Sequence, residues 1–271
     1  MQKFSRNHRI TAITKVLFEN PNKIISLNNF TEMFNIAKST VSEDIVMVRD
    51  TLTKLNMGKI ETVSGAAGGI KYVCGISYEK SKEFAERLCI ILKNRERIIP
   101  GDFLYMTDIM FNPQIIYSAG VILASAFISQ KVDYVVTVET KGIPLAYEVA
   151  KMLGIQLVVV RRETKFTEGS TITINYVSGS TGRIQNMSLS KKAMKIKSKC
   201  IFIDDFMRAG GTANGIISLL KEFESELVGI GVLIDNVETP KKLVREYTSI
   251  VDFKGIDEHG EAQLFPSENF K

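Results

Sequence analysis

The stretch Cys200-Ile-Phe-Ile-Asp-Asp-Phe-Met-Arg-Ala-Gly-Gly-Thr-Ala-Asn-Gly215 decides how the rest of the chain is read. An apolar run, Cys200 to Ile203, delivers two adjacent carboxylates, Asp204 and Asp205. A turn of small residues then leads into the helical pattern Gly211-Thr-Ala-Asn-Gly-Ile-Ile-Ser-Leu-Leu220. Backbone N–H groups of such a turn, together with the following helix dipole, suit a phosphate. The Thr212 hydroxyl is a further donor, and a carboxylate pair just upstream suits the vicinal hydroxyls of a ribose. The combination fits a sugar phosphate better than a packed core.

Around this stretch, strand and helix patterns alternate. Asp133–Glu139, Ile155–Arg162, Lys199–Asp205 and Leu227–Asn236 read as buried strands, and Gly142–Gly154 and Gly211–Glu226 as helices. That alternation predicts a parallel sheet covered by helices, with ligands at the carboxyl ends of the strands. A second strand end, Val138-Glu-Thr-Lys-Gly142, offers a lysine and a glycine to another anion. Residues 161–199 hold nine Lys/Arg against two acids, with a long polar run rich in Gly, Ser and Thr. Inside a compact domain this predicts a binding loop or lid that meets an anion, with Lys191 and Lys192 among its cations. The stretch Ser77–Gly101 reads as a connector, helical until Pro100.

The first 75 residues follow a different plan, with ten Lys/Arg and six Asp/Glu. Residues 6–20 predict a helix stopping at Asn20-Pro21. Ser26 caps a second, short helix with Phe30 and Phe34 on one face. A third begins near Ser39 and Thr40, where Thr40 and Glu43 have capping-box spacing. Val41, Ile45, Val48, Leu52 and Leu55 form its buried stripe. Two β-like runs around a glycine-rich tip complete a hairpin. Three helices and a hairpin are the order of a winged helix-turn-helix, whose third helix enters the major groove of DNA. Lys38, Ser39, Thr40, Ser42 and Glu43 occupy that helix's first turn, and Arg6, Arg9 and Lys71 are candidates for backbone contacts.

Composition sets outer bounds. The chain has 271 residues, a net charge of +5, 45% hydrophobic and 24% charged residues. No apolar run reaches the roughly 20 residues of a membrane helix, and the N-terminal residues lack a secretory pattern. Cys74, Cys89 and Cys200 are far apart in apolar contexts and read as buried thiols of a cytoplasmic protein. No metal site is expected from the protein alone, since His8 and His259 cannot make one.

Ile201–Thr212 resembles the 5-phosphoribosyl-1-pyrophosphate (PRPP) signature of type I phosphoribosyltransferases: an apolar strand, two acids and a small-residue loop. Val138–Gly142 resembles that family's pyrophosphate loop, and residues 161–199 its flexible hood. The likeness covers residues 100–260. It implies that Asp204 and Asp205 bind the ribose, Ala209, Gly210, Gly211, Thr212 and Ala213 bind the 5′-phosphate, and Thr140, Lys141 and Gly142 hold pyrophosphate, with Mg²⁺ shared; Arg208, ahead of that loop, is a further ligand candidate by its own charge. A winged helix ahead of such a domain resembles the bacterial purine operon repressors. That resemblance implies a homodimeric repressor that binds double-stranded operator DNA. Its transferase fold would sense PRPP, which loosens DNA, without catalysing transfer. The expected domains are 1–75 and 76–271. Arg208 departs from active transferases, which have an Ala-Thr or similar pair before Gly-Gly. Two alternatives remain open. One is an active purine phosphoribosyltransferase, stacking a base on Phe253 or Phe265. The other is a regulator sensing a pyrophosphate-bearing nucleotide such as guanosine tetraphosphate.

Overall fold

The computed structural model describes residues 3–65, 67–101, 103–163, 167, 169–177 and 182–268. The chain divides into two compact units, Met1–Ser77 with Met152–Gly154, and Tyr78–Lys151 with Ile155–Lys271.

In the first unit, α1 (Arg6–Glu19) starts where the Ser5 hydroxyl accepts from the His8 N–H, and ends at Asn20. Helix α2 (Leu27–Phe34) is capped by Ser26 and closes at Asn35, whose φ of 50° turns the chain toward the next helix. Asparagine tolerates that left-handed region better than other side chains. Helix α3 spans Lys38–Lys54. Strands β1 (Lys59–Val63) and β2 (Gly69–Val73) pair antiparallel from Lys59↔Val73 to Val63↔Gly69. Ile13, Leu17, Phe30, Phe34, Val41, Ile45, Val48, Leu52, Ile60 and Ile70 form the core. Each such burial contributes about 1.5–3 kcal/mol. This is the order of elements expected of a winged helix-turn-helix.

Two local expectations for α3 are corrected. The capping position belongs to Ala37, in extended geometry with no side-chain cap, so Thr40 is already helical and does not cap. A capping hydroxyl needs that extended backbone, which the chain adopts three residues earlier. Leu55 is 53% exposed because the helix has ended and the chain has left the buried stripe.

The second unit opens with α4 (Tyr78–Leu92), which buries Phe84, Ala85, Leu88, Cys89 and Leu92. It ends eight residues before Pro100, because the Asn94 side chain takes the Glu96 N–H at 3.1 Å and starts a 3₁₀ turn over Arg95–Arg97. A two-residue hairpin follows, β3 (Ile98–Ile99) with β4 (Phe103–Leu104). Next come α5 (Thr107–Met110) and α6 (Pro113–Phe127). Then β5 (Tyr134–Val138), α7 (Ile143–Leu153) and β6 (Gln156–Val160) form a parallel crossover. Part of the expected hood is an antiparallel pair, β7 (Thr171–Val177) with β8 (Ile184–Ser190). Its residues 164–166, 168 and 178–181 lie outside the described residues. The chain continues through β9 (Lys199–Met207), α8 (Gly211–Lys221), β10 (Glu226–Asn236), β11 (Thr248–Ile256) and β12 (Ala262–Pro266).

Six strands form one sheet in the order β12-β11-β10-β9-β5-β6. All neighbours are parallel except the edge pair β11–β12. Far from being a simple connector, α4 lies against β11 and β12. Val136, Val158, Phe202, Ile216, Leu219 and Val232 are almost fully buried in the core. From β9 the chain winds outward through α8 to β10, and from β5 through α7 to β6. The sheet order therefore reverses between β9 and β5. A crevice opens at such a point, outside the carboxyl ends of the strands.

Candidate functional site

A cavity of about 790 Å³ fills that crevice. Its walls include Val138–Lys141 at and after the end of β5, Asp204–Ala213 from β9 into α8, Asn236 at the end of β10, and Phe253, Gly255 and Ile256 of β11. Arg162 and the hairpin residues Phe103 and Leu104 complete it.

Asp204 sits half-buried at its floor, with Asp205 beside it. The Asp205 N–H donates to Asp204 Oδ1 at 2.9 Å. Burial, and then the negative charge of Asp205, hold the Asp204 carboxyl well above the usual carboxylate range. The pair is thus primed for a hydroxyl-rich or cationic ligand that repays the charge.

The turn before α8 is shaped by Gly210, at φ 79° and ψ 15°. A Cβ there would lie 2.9 Å from Val244 Cγ2, so both the backbone angle and the packing require glycine. The first N–H groups of α8, Gly211 to Ala213, have no intrahelical acceptor and face this end of the cavity. Across the crevice, the Glu139–Thr140 peptide bond is cis. A Cβ on Gly142 would meet Asp204 Oδ1 and Thr137 Oγ1, each at 2.7 Å, so this loop closes directly onto the carboxylate pair. The Thr137 hydroxyl is buried with no hydrogen-bond partner among the described residues.

Glu139 is tied down by Arg161 Nη1 at 3.1 Å and by the Arg162 N–H at 2.7 Å. Its charge is thereby offset in a loop otherwise suited to anions. The Arg208 guanidinium lies 5.8 Å from the centre of the Phe103 ring. Phe206 meets Phe253 edge-on, 6.2 Å between centroids. The cavity wall thus carries aromatic rings as well as charged groups.

All eleven ligand positions expected from the sequence fall in this one region: Thr140, Lys141, Asp204, Asp205 and Arg208–Ala213 line the cavity, and Gly142 packs against Asp204. Sequence reasoning missed Arg162, Asn236, Phe103 and Phe206. For Arg162 the signal was available, an arginine pair closing the strand run Leu157–Val160. Of the two aromatics named for stacking, Phe253 is buried against the cavity, while Phe265 is 42% exposed under the ammonium groups of Lys93 and Lys254. Lys191 and Lys192 are exposed beyond β8.

In the first unit, Lys38, Ser39 and Ser42 are exposed and Thr40 half-buried, together in the first turns of α3. Two proposed backbone contacts are otherwise occupied. Arg9 grips the buried Asp44 carboxylate through Nε at 2.7 Å and Nη2 at 3.2 Å. Lys71 reaches Glu61 at 3.3 Å and Asn22 Oδ1 at 3.2 Å. Arg6 lies 3.4 Å from Asp44 but stays half-exposed.

Residues 5–74 match the model for the bacterial purine repressor N-terminal domain, and residues 112–262 the phosphoribosyl transferase domain. The purine biosynthesis transcriptional repressor PurR of Bacillus subtilis is 45% identical over 255 residues, covering 94% of this chain and 90% of that protein. The chain belongs to the bacterial purine repressor family. A family member from Streptococcus pneumoniae, a probable purine biosynthesis transcriptional regulator, is 44% identical over 96% of this chain and 95% of its own. One from Lactococcus lactis, 37% identical over 93% of each chain, is named an activator. The xanthine phosphoribosyltransferase of Deinococcus deserti matches 51% of this chain at 27% identity, covering 74% of that protein. Among solved structures, an adenine phosphoribosyltransferase from Thermoanaerobacter pseudethanolicus superposes with a TM-score of 0.54 at 18% identity, covering 62% of this chain and 99% of that one. That likeness establishes the phosphoribosyltransferase-type fold of the second unit.

Proposed function

We propose that this protein regulates purine biosynthesis genes by binding operator DNA through its first unit, and that the cavity of its second unit senses PRPP. The observation that carries the reading is the convergence of the Asp204–Asp205 pair, the Gly210–Gly211 turn and the Thr140–Gly142 loop on one cavity, in a chain of this family. The ligand groups fit what is there. Vicinal hydroxyls suit the carboxylates, a phosphate suits the orphan N–H groups of α8, and a diphosphate suits the loop beside Lys141 and Arg162. Among the described residues no group of three His, Cys, Asp or Glu could cage a metal. Mg²⁺ would therefore arrive on the diphosphate, with Asp204 and Asp205 as its nearest carboxylates. It would spread the diphosphate charge.

The fold works here as a sensor and not as a transferase, a reading supported by Arg208 ahead of Gly210 and by relatives named as regulators. The protein acts as a homodimer on paired half-sites, in the cytoplasm with the chromosome. Repression is favoured over activation by the higher identity to the repressor. The aromatic rings in the cavity wall favour one second reading, a nucleotide bearing a pyrophosphate, such as guanosine tetraphosphate, seated with its base toward Phe103 and Phe206.

The deciding experiment pairs operator binding, with and without PRPP and Mg²⁺, with a pyrophosphate-release assay using adenine, guanine, hypoxanthine or xanthine. The expected result is PRPP-sensitive operator binding and no release. Turnover with any base would restore the enzyme reading. Operator binding that responds to guanosine tetraphosphate alone would select the nucleotide.

A further inference from the structure

We propose that Gln185 positions the Arg162 guanidinium for a diphosphate, as a neutral anchor that fixes the side chain and leaves its charge to the ligand. This deepens the function proposed above and rests on the cavity taking a diphosphate. The two arginines that close the run Leu157–Val160 are held differently. Arg161 is ion-paired, with Nη1 3.1 Å from Glu139 Oε2. The Arg162 guanidinium binds neutral oxygens instead: Nε donates to the Glu139 carbonyl at 3.4 Å and Nη1 to Gln185 Oε1 at 2.8 Å. Among the described residues its Nη2 has no acceptor, and Arg162 stands in the cavity wall with Lys141. A guanidinium held in one plane presents its remaining N–H groups as a fork to phosphate oxygens.

The anchor is itself fixed. A guanidinium can only donate, so the oxygen of the Gln185 amide, and not its nitrogen, must face Arg162. The same oxygen lies 2.8 Å from the Tyr176 phenol, which must therefore donate as well. Tyr176 on β7 and Gln185 on β8 are direct cross-strand partners. Tyr176 is only 7% exposed, and a Cβ on Gly215 of α8 would lie 3.0 Å from its ring. Further along β8, Ser188 exchanges both backbone hydrogen bonds with Arg161, at 2.9 and 2.8 Å, which seats the strand beside the end of β6. A carboxylate in place of Gln185 would bind the guanidinium more strongly but would neutralise it, as Glu139 does for Arg161. An amide oxygen orients it and leaves the charge intact.

The readout is the preference for a diphosphate over a monophosphate, which a merely structural glutamine would not set. Calorimetric titration of the whole chain with PRPP and Mg²⁺, and separately with ribose 5-phosphate, measures it alongside thermal melting. Gln185→Leu, which cannot accept, should weaken PRPP roughly three- to tenfold, the worth of one hydrogen bond, and leave ribose 5-phosphate unchanged. Gln185→Glu should weaken PRPP roughly ten- to a hundredfold, by claiming the charge of Arg162. In an Arg162→Gln background, Gln185→Leu should do nothing. Equal weakening of both ligands, or unchanged PRPP binding by a folded Gln185→Leu, overturns the proposal, as does a Gln185→Glu that binds PRPP like wild type. Should Gln185→Leu melt far below wild type, Gln185→Asn withdraws the oxygen by one carbon and keeps the polarity, and must shift the same preference. If wild type binds ribose 5-phosphate as tightly as PRPP, the diphosphate reading falls and the anchor with it. A preference present in wild type and kept by the Gln185 variants sinks the anchor alone.

Discussion

Asp204 and Asp44 are both acids in protected places, and their surroundings give them opposite consequences. At Asp204 the neighbours are a second carboxylate and the cavity wall, so its pKa is raised. The sign follows directly. Between the ordinary carboxylate pKa and the raised folded value, the native state binds more protons than the unfolded one. Stability therefore falls as pH rises through that window. Asp204→Asn should raise the melting temperature of the ligand-free protein near neutral pH and flatten this decline. It should also weaken PRPP by about ten- to a hundredfold, the worth of a charge-assisted hydrogen bond. Melting curves across pH and a binding titration check the two halves; a lower melting temperature would contradict the first. Asp44, by contrast, is 1% exposed and gripped by Arg9, itself 12% exposed. Asp44→Ala strands a largely buried guanidinium and should cost about 3 kcal/mol, the lower end for a broken buried pair. Chemical denaturation followed by the first unit's signal tests it. The charge of Arg9 was legible in the sequence, but its engagement was not, because Asp44 lies 35 positions away.

Among elements, α3 and the β7–β8 pair show what periodicity reaches. The stripe Val41, Ile45, Val48, Leu52 is buried as its spacing requires, because a helix returns to one face every three to four residues. The exposed first turn follows from the same phase. Lys38→Ala should leave stability within about 0.5 kcal/mol while lowering the salt slope of operator binding by about 0.9, if Lys38 neutralises one phosphate. An unchanged slope would take Lys38 out of the interface. The helix's exact ends were less legible, since cap geometry depends on where the preceding turn leaves the backbone. Helix α6 escaped the sequence reading because its residues are apolar on nearly every face, although Asn112-Pro113 is a strong start signal. The β7–β8 pair reads as polar loop because its outward residues are polar and Gly, Ser and Thr surround it. Its contacts with α8 and β6 bury Tyr176, Met187 and Leu189. Gly215→Ala should press on the Tyr176 ring and on Met187, costing about 1–3 kcal/mol by overpacking. Its melting temperature should fall, with a weaker phosphate site as a second effect.

At the scale of the whole molecule the prediction is a linkage. If PRPP lowers operator affinity, operator DNA lowers PRPP affinity by the same factor. A coupling of about 1–3 kcal/mol is typical, so the operator Kd should rise roughly five- to 150-fold at saturating PRPP. An operator titration at fixed salt and Mg²⁺ measures this, with Asp205→Asn as the control that should not respond. A tighter complex with PRPP would make it a co-repressor, or the chain an activator like its Lactococcus relatives.

By itself the sequence determined the two-part plan, the alternation that makes a parallel sheet, and the carboxylate pair with its glycine turn. Those are local quantities, set by hydrophobic period, by turn chemistry and by residues adjacent in the chain. Only the tertiary structure decided which strand ends share a cavity, because the reversal between β9 and β5 brings together residues some 65 positions apart, Thr140 and Asp205 among them. It also decided that Phe253 faces the cavity while Phe265 does not, that Arg9 serves Asp44, and that Tyr176 packs beside Gly215 of α8. Each is a contact between segments distant in sequence, and periodicity carries no information about which distant face a side chain will meet.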